Sequence, residues 1–309
     1  MIKDFVTFGI AATMLRPASF DSVADHLEAI KAGCALEGYQ SLELFISDDA
    51  RVAAEEVKML RDSGKSVNYN APMPFQLGGD CNPGNPDPVI RKNAIALAHK
   101  HLDYAAQAGS KLFCLAPCPD EPTARDEAKQ AYREFLTSAA EYAYTLGITL
   151  AIEPVERHRF KKLLLGSTAE TAQFIQVFID AGIPNIKLML DFAHLPLMEE
   201  TTEDALPISM KTGLVHVHMG NAVLKPESVY YGHTHPPIGI PDGLWDVEDI
   251  ADQFAALIKA GYISLTPSAA KPTVSLEVRP YSGVCYETSA KFAYEKVAAA
   301  FEIAVGREK

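Results

Sequence analysis

The sequence predicts an α/β protein folded as one (β/α)8 barrel, a TIM barrel occupying residues 1–309 as a single domain. Three observations carry that prediction. Eight short β-branched or aromatic runs alternate with eight helical windows from one end of the chain to the other. Glycines at 64, 109, 147 and 182 fall just after a helical window and before a strand, where a left-handed residue ends a helix. Two connections are long, and both follow a strand, as the loops on the active face of a barrel do.

The first strand is expected at 5–10, before a helical window at 19–37. A strand at 41–46 leads to a window at 49–63, with Asp48 and Asp49 placed to accept from the free N–H groups of its first turn. The third strand, 66–69, runs into a connection at 70–87 that is rich in Pro, Gly and Asn, followed by a window at 86–108. Strands at 111–116 and 149–153 flank a window at 124–146. Ser167-Thr168-Ala169-Glu170 opens the window at 167–181 with capping-box chemistry, and a strand follows at 186–191. A window at 198–210, a strand at 213–218 and the second long connection, 219–246, come next. The pattern closes with a window at 246–260, a strand at 273–278 and a window at 286–304. Such alternation with short αβ turns is that of a parallel sheet. No GxGxxG turn follows the first strand, so an open doubly wound sheet is the poorer reading.

Composition bounds the function. The chain is 48% hydrophobic and 22% charged, ordinary for a globular protein. A net charge of −12 argues against a nucleic-acid partner, whose phosphates need a basic surface. No apolar run reaches the ~20 residues that cross a bilayer, so no membrane partner is expected. Met1-Ile2-Lys3-Asp4 does not open a secretion signal. The five cysteines are odd in number and scattered, which fits free thiols in a reducing cytoplasm. Cys114 and Cys118 lack the second pair that a zinc finger requires.

The chemistry gathers in the second half. Four predicted strands end in a metal-ligand type: Ile152-Glu153, Leu190-Asp191, Val217-His218 and Leu276-Glu277. A charge at the end of an apolar strand is costly to desolvate unless it is paired or holds a metal. Four converging from one barrel favour a metal. Two glutamates, one aspartate and one imidazole suit Mn²⁺, Mg²⁺ or Co²⁺ better than a structural zinc site, with Zn²⁺ also compatible. One divalent ion, Mn²⁺ first among these, is the expected cofactor.

His216 lies two residues before His218 on the same face and deeper, so it is expected behind the ligands or in the core. His194 leaves the Asp191 strand end and is expected to hydrogen-bond substrate. The run Glu153-Pro154-Val155-Glu156-Arg157-His158-Arg159 is dense in titratable groups, and Glu156 and Arg157 join the expected substrate-binding set. His233 and His235, in the long loop, have three readings: lining the pocket, holding a second metal, or exposure. His233 is counted with the substrate-binding residues. His99 and His101 read as helix-borne surface or core groups, and Trp245 as a packing anchor.

Taken together, Ala151-Ile152-Glu153-Pro154, Met189-Leu190-Asp191-Phe192-Ala193-His194, Val215-His216-Val217-His218-Met219-Gly220-Asn221 and Ser275-Leu276-Glu277-Val278 resemble the xylose-isomerase-like barrel superfamily. Gly239-Ile240-Pro241-Asp242-Gly243-Leu244-Trp245-Asp246 is similar to the Gly-rich loop before the seventh helix in that family. The resemblance implies that Glu153, Asp191, His218 and Glu277 bind the metal and that Glu153 and Glu277 exchange protons with a sugar. The chain departs from family epimerases at Glu156-Arg157-His158, where they often carry Asn-Arg-(Phe/Tyr), and at Leu224, where many have Arg. The superfamily's nucleases use three zinc ions and need histidines at early strand ends. This chain has Asn70 and Ala116 there.

The expected activity is therefore a metal-dependent isomerase or epimerase acting on a sugar, ketose or related polyhydroxy carbonyl compound through an enediolate. A metal-dependent lyase of dehydratase or deglycosidase type on the same scaffold, or a non-catalytic accessory subunit, are the alternatives. A small carbohydrate is the expected partner. Barrels of this kind often self-associate, and a homo-oligomer is compatible with the sequence.

Overall fold

The computed structural model describes residues 1–308. Eight parallel strands close into a barrel in sequence order, with β8 pairing back to β1. They are β1 (Thr7–Ala11), β2 (Ser41–Leu44), β3 (Ser66–Asn70), β4 (Leu112–Leu115), β5 (Thr149–Ile152), β6 (Ile186–Asp191), β7 (Leu214–Met219) and β8 (Thr273–Leu276). The helices are α1 (Ala12–Leu15), α2 (Val23–Ala35), α3 (Ala50–Ser63), α4 (Pro74–Leu77), α5 (Pro88–Gln107), α6 (Arg125–Leu146), α7 (Thr168–Asp180), α8 (Thr202–Thr212), α9 (Val247–Lys259) and α10 (Tyr286–Arg307). The two shortest, α1 and α4, lie in the connections after β1 and β3, and sequence periodicity does not reveal elements of four residues.

Local chemistry sets the boundaries. Ser22 Oγ accepts from Asp25 N at 3.1 Å, so α2 starts at Val23 rather than at 19. Residues 17–20 form a separate 3-10 turn. Asp49 and Ser167 cap α3 and α7, but the box expected at α7 stays half-closed because the Glu170 carboxylate takes Arg125, Lys129 and Gly166 N. Thr201 and Asp204 form a reciprocal capping box, which moves the start of α8 from 198 to Thr202. Gly64 and Gly147 end α3 and α6 at φ 69° and 68°. At the amino end, Phe5 N and Val6 N bond back to Ile2 O, which delays β1 to Thr7.

The barrel wall has two unlike faces. Val217 and Met219 of β7, with Leu188 and Leu190 of β6, join the large apolar core between strands and helices. The alternate residues face the lumen: Cys114, Ala151 and Met189 form a small cluster of their own. At the floor the strands crowd. A Cβ on Gly9 would lie 2.1 Å from Ser41 Oγ and 2.8 Å from Ser275 Oγ, so only glycine fits there.

One buried carboxyl lies on the helix side. Glu56 of α3 is fully buried, accepts from Ser47 N at 2.7 Å with one oxygen, and leaves Oε1 without a partner. Burial pushes its carboxyl up to about 7 from the usual 4.5. A folded-state value above the unfolded one means stability that is full below about pH 4.5 and declines as pH rises through about 7. Glu56→Gln is accordingly expected to stabilise the protein at pH 8 by on the order of 1–3 kcal/mol and to flatten the pH dependence. Urea unfolding at pH 5 and pH 8 reads both; a variant that gains nothing at pH 8 contradicts the assignment.

Candidate active site

Strand ends bring the four expected ligand residues together. Glu153 follows β5 and Glu277 follows β8, each with its backbone N–H still in the barrel ladder, to Leu115 O and Met219 O at 2.9 Å. Asp191 is the last residue of β6 and His218 the fifth of β7. His218 Nδ1 lies 2.8 Å from Glu277 Oε2, 3.6 Å from Glu153 Oε1 and 3.9 Å from Asp191 Oδ2. One ligand atom from each of the four residues falls within 4.8 Å of all the others.

The donor atoms at this centre are unsatisfied. Glu153 Oε1, Asp191 Oδ2, His218 Nδ1 and His235 Nδ1 are buried and have no aligned hydrogen-bond partner. Asp191 shows the division clearly: Oδ1 accepts from Ala193 N at 2.6 Å, while Oδ2 is left facing the cluster. Unmet buried carboxylate and imidazole atoms of this kind are destabilising without a partner. A divalent cation would satisfy all four ligand residues at once, so the set fits a metal.

Electrostatics agree. Burial, reinforced by the charges of Glu277, Glu43 and Glu156 against the opposing pull of His218, pushes Glu153 up to about 8. Burial and Glu277 push Asp191 well above the usual carboxylate range. At Glu277 burial is outweighed by His235 and His218, which hold it well below that range. Two of the three neighbouring carboxyls are thus costly to ionise unless a cation lies beside them.

Beside this centre lies a group of three histidines. His194 Nε2 is 3.4 Å from His235 Nε2, which is 3.0 Å from His233 Nε2. His194 bonds Pro154 O through Nδ1 and sits 3.2 Å from Asp191 Oδ2. Burial, with the neighbouring imidazoles, depresses His194 and His233 well below the usual value, so both are neutral donors or acceptors. The long loop is folded over the mouth by Asn221, whose side chain binds Pro237 O, Ala222 N and Trp245 N. His235 takes φ 49°, and its carbonyl is held by Arg279 N at 2.8 Å. His233 and His235 are buried or nearly so rather than exposed.

A cavity of about 280 Å³ opens above the cluster. His194, His233 and His235 line it with Glu153, His218 and Glu277. Its other wall is apolar, built from Met14, Phe20, Phe45 and Met73, and Lys161 and Arg279 stand at its rim.

Glu156 and Arg157 do not reach this cavity, contrary to the sequence expectation. Glu156 is buried behind His233, accepting from its Nδ1 at 3.0 Å and from Lys161 N at 3.0 Å. The next residue turns the other way: Arg157 Nε donates to Asp120 Oδ2 at 2.8 Å. Arg159 pairs with Glu199 on the surface. His101 is a core group, bridging Tyr69 and Asp48.

Sequence reasoning missed Glu43. This β2 residue is fully buried and receives hydrogen bonds from His216 Nε2 at 2.9 Å and His218 Nε2 at 2.8 Å. Burial pushes its carboxyl up, but His218 and His216 outweigh that and hold it at about 2. The available signal was a glutamate inside the apolar run Ser41-Leu42-Glu43-Leu44.

The family model described as "Xylose isomerase-like TIM barrel" matches residues 32–294. A D-psicose 3-epimerase of Agrobacterium fabrum is 34% identical over 89 residues, a stretch spanning 29% of this chain and 29% of that relative. Among solved structures, a D-tagatose 3-epimerase-like protein superposes with a TM-score of 0.73 at 14% identity, covering 98% of this chain and 100% of the other. An L-ribulose 3-epimerase does so with a TM-score of 0.72 at 18% identity, covering 97% and 96%.

Proposed function

The chain belongs to the xylose isomerase-like TIM barrel family, and from that premise we propose that it is an epimerase or isomerase of a ketose or related polyhydroxy ketone, working with one divalent metal ion. The observation that carries the reading is the cluster of unpartnered ligand atoms from Glu153, Asp191 and His218 beside Glu277 on the floor of the cavity. These four residues would hold the ion, with Mn²⁺, Mg²⁺ or Co²⁺ suited to three carboxylates and one imidazole and Zn²⁺ compatible. When bound, such an ion polarises a ketone oxygen and lowers the cost of negative charge building there.

Access divides the labour among the ligands. The side chains of Asp191 and His218 are 0% and 4% exposed, whereas those of Glu153 and Glu277 keep 12% and 17% and line the cavity. Only the two glutamates present carboxylate to a bound molecule. One takes the proton from the carbon beside the ketone, and the other returns a proton to the resulting enediolate. Return to the same carbon from its opposite face is epimerisation; return to the other enediolate carbon moves the carbonyl by one position, and gives an aldehyde when the first proton came from the terminal carbon. His194 and His233, neutral and facing the cavity, hydrogen-bond the substrate's hydroxyls, and Lys161 and Arg279 offer further donors at the rim.

The relatives' names support the substrate class, since D-psicose and L-ribulose are both ketoses and a 3-epimerase inverts the carbon next to the ketone. A cavity of about 280 Å³ lies just below the ~300–1,000 Å³ of drug-sized ligand pockets, which suits a small molecule such as a monosaccharide. The test is incubation with ketopentoses and ketohexoses in D₂O with Mn²⁺. The expected result is deuterium at the carbon beside the ketone in a product otherwise of unchanged mass. A product lighter by water would establish a dehydratase-type lyase reaction instead. No exchange with any member of the panel would overturn the reading.

A further inference from the structure

Glu43 reaches from β2 across the lumen to β7, which lies three strands away around the closed barrel (β7-β8-β1-β2). Its two oxygens are divided between two imidazoles, Oε2 to His216 and Oε1 to His218. Both oxygens of an ionised carboxylate only accept, so both imidazoles carry their proton on Nε2. With Nε2–H so engaged, the other nitrogen of each ring is the one a neutral imidazole offers as its lone pair. For His216 it meets the hydroxyl of Thr273 at 2.7 Å. For His218 it points at Glu153, Asp191 and Glu277, where it has no aligned hydrogen bond.

We infer that Glu43 is the positioning residue of the metal centre: by accepting from Nε2–H of His218 it fixes the tautomer and ring orientation that present Nδ1 as a ligand, while His216 and Thr273 hold the carboxylate in place. This rests on the metal reading proposed above. A nitrogen lone pair turned toward oxygens of Glu153, Asp191 and Glu277 completes the ligand set of a cation lying between them.

Glutamine in place of Glu43 makes the dependence measurable. Its amide oxygen can still accept from one imidazole, but its NH₂ can only donate to the other. If that other is His218, Nε2 must become the lone pair and the proton moves to Nδ1, where it blocks coordination. If it is His216, that ring takes the other tautomer, its Nδ1–H donating to Thr273 Oγ1 while the hydroxyl proton goes to Val215 O. His218 then donates to a neutral amide oxygen in place of a carboxylate, which lowers the basicity of Nδ1. A purely structural Glu43 would lower the melting temperature without changing metal affinity in the folded protein.

The experiment is calorimetric titration of Mn²⁺ into the full chain and into Glu43→Gln, at a temperature where circular dichroism shows both folded. The expected result is 10- to 100-fold weaker binding by the variant. Equal affinity would overturn the role of Glu43 while leaving the metal centre intact. No Mn²⁺ binding by the unmodified protein would overturn the metal reading and this inference with it. Should Glu43→Gln fail to fold, ¹⁵N-histidine spectra of the unmodified Zn²⁺-loaded protein decide. A metal-bound Nδ1 with Nε2–H on His218 supports the assignment, and the opposite tautomer overturns it.

Discussion

Glu277→Gln is expected to reduce turnover by roughly 10²–10⁴-fold, and Glu153→Gln by a similar factor, because each removes a group proposed to carry a proton to or from carbon. The substitution keeps the shape of the side chain, and both residues sit at strand ends whose backbone bonds are untouched. The fold should persist, as circular dichroism would show. Glutamine still offers an oxygen to a metal, so metal content must be measured beside activity. Loss of solvent-deuterium exchange with metal retained assigns the defect to proton transfer. The two variants need not behave alike. Glu277 faces the imidazoles of His235 and His218, while Glu153 lies among carboxylates. One variant that still exchanges the substrate proton but no longer converts it would show which glutamate removes the proton and which returns it. Full turnover in both would remove the glutamates from the reaction.

Removal of divalent metal is expected to abolish activity and to lower stability by an amount that grows with pH. Without a cation, Glu153 is raised from 4.5 to about 8 and Asp191 is also raised. A raised carboxyl contributes stability that is full below its unfolded value of about 4.5 and is lost as pH climbs through about 8. A bound cation removes that loss, because the carboxylates need no proton beside it, and binding releases the protons they held. The gap in melting temperature between Mn²⁺-loaded and chelated protein should therefore widen from pH 5 to pH 8. At free metal a hundredfold above Kd the stabilisation is about 2.7 kcal/mol, enough to read by calorimetry. A gap that is absent, or that narrows with rising pH, would contradict a metal held by these four residues.

The barrel and the four residues gathered at its strand ends are legible in the chain because each rests on a local pattern. An apolar run of four to six residues that ends in Glu, Asp or His identifies both a strand and the group at its mouth, and period-two alternation places His216 and His218 on one face. Helix ends are legible where a cap is local: Asp49 and Ser167 read correctly, whereas at the start of α8 the capping pair Thr201–Asp204 moves the boundary by four residues, from 198 to Thr202.

What the sequence by itself determined, then, is the eight-fold alternation and the residue types at the strand ends. Only the tertiary structure decided which neighbours those residues have. Glu43 meets His218 across 175 residues of chain, and His233 meets Glu156 across 77. No periodicity encodes such pairs, because they arise from closure of the sheet and the fold of a loop. The same physics moved Glu156 and Arg157 away from the cavity. Adjacent residues in an irregular segment face opposite ways, and a buried carboxylate takes whichever donor lies within reach, here an imidazole. His235 entered the site for the complementary reason: Asn221 and Arg279 pin the loop that carries it over the barrel mouth.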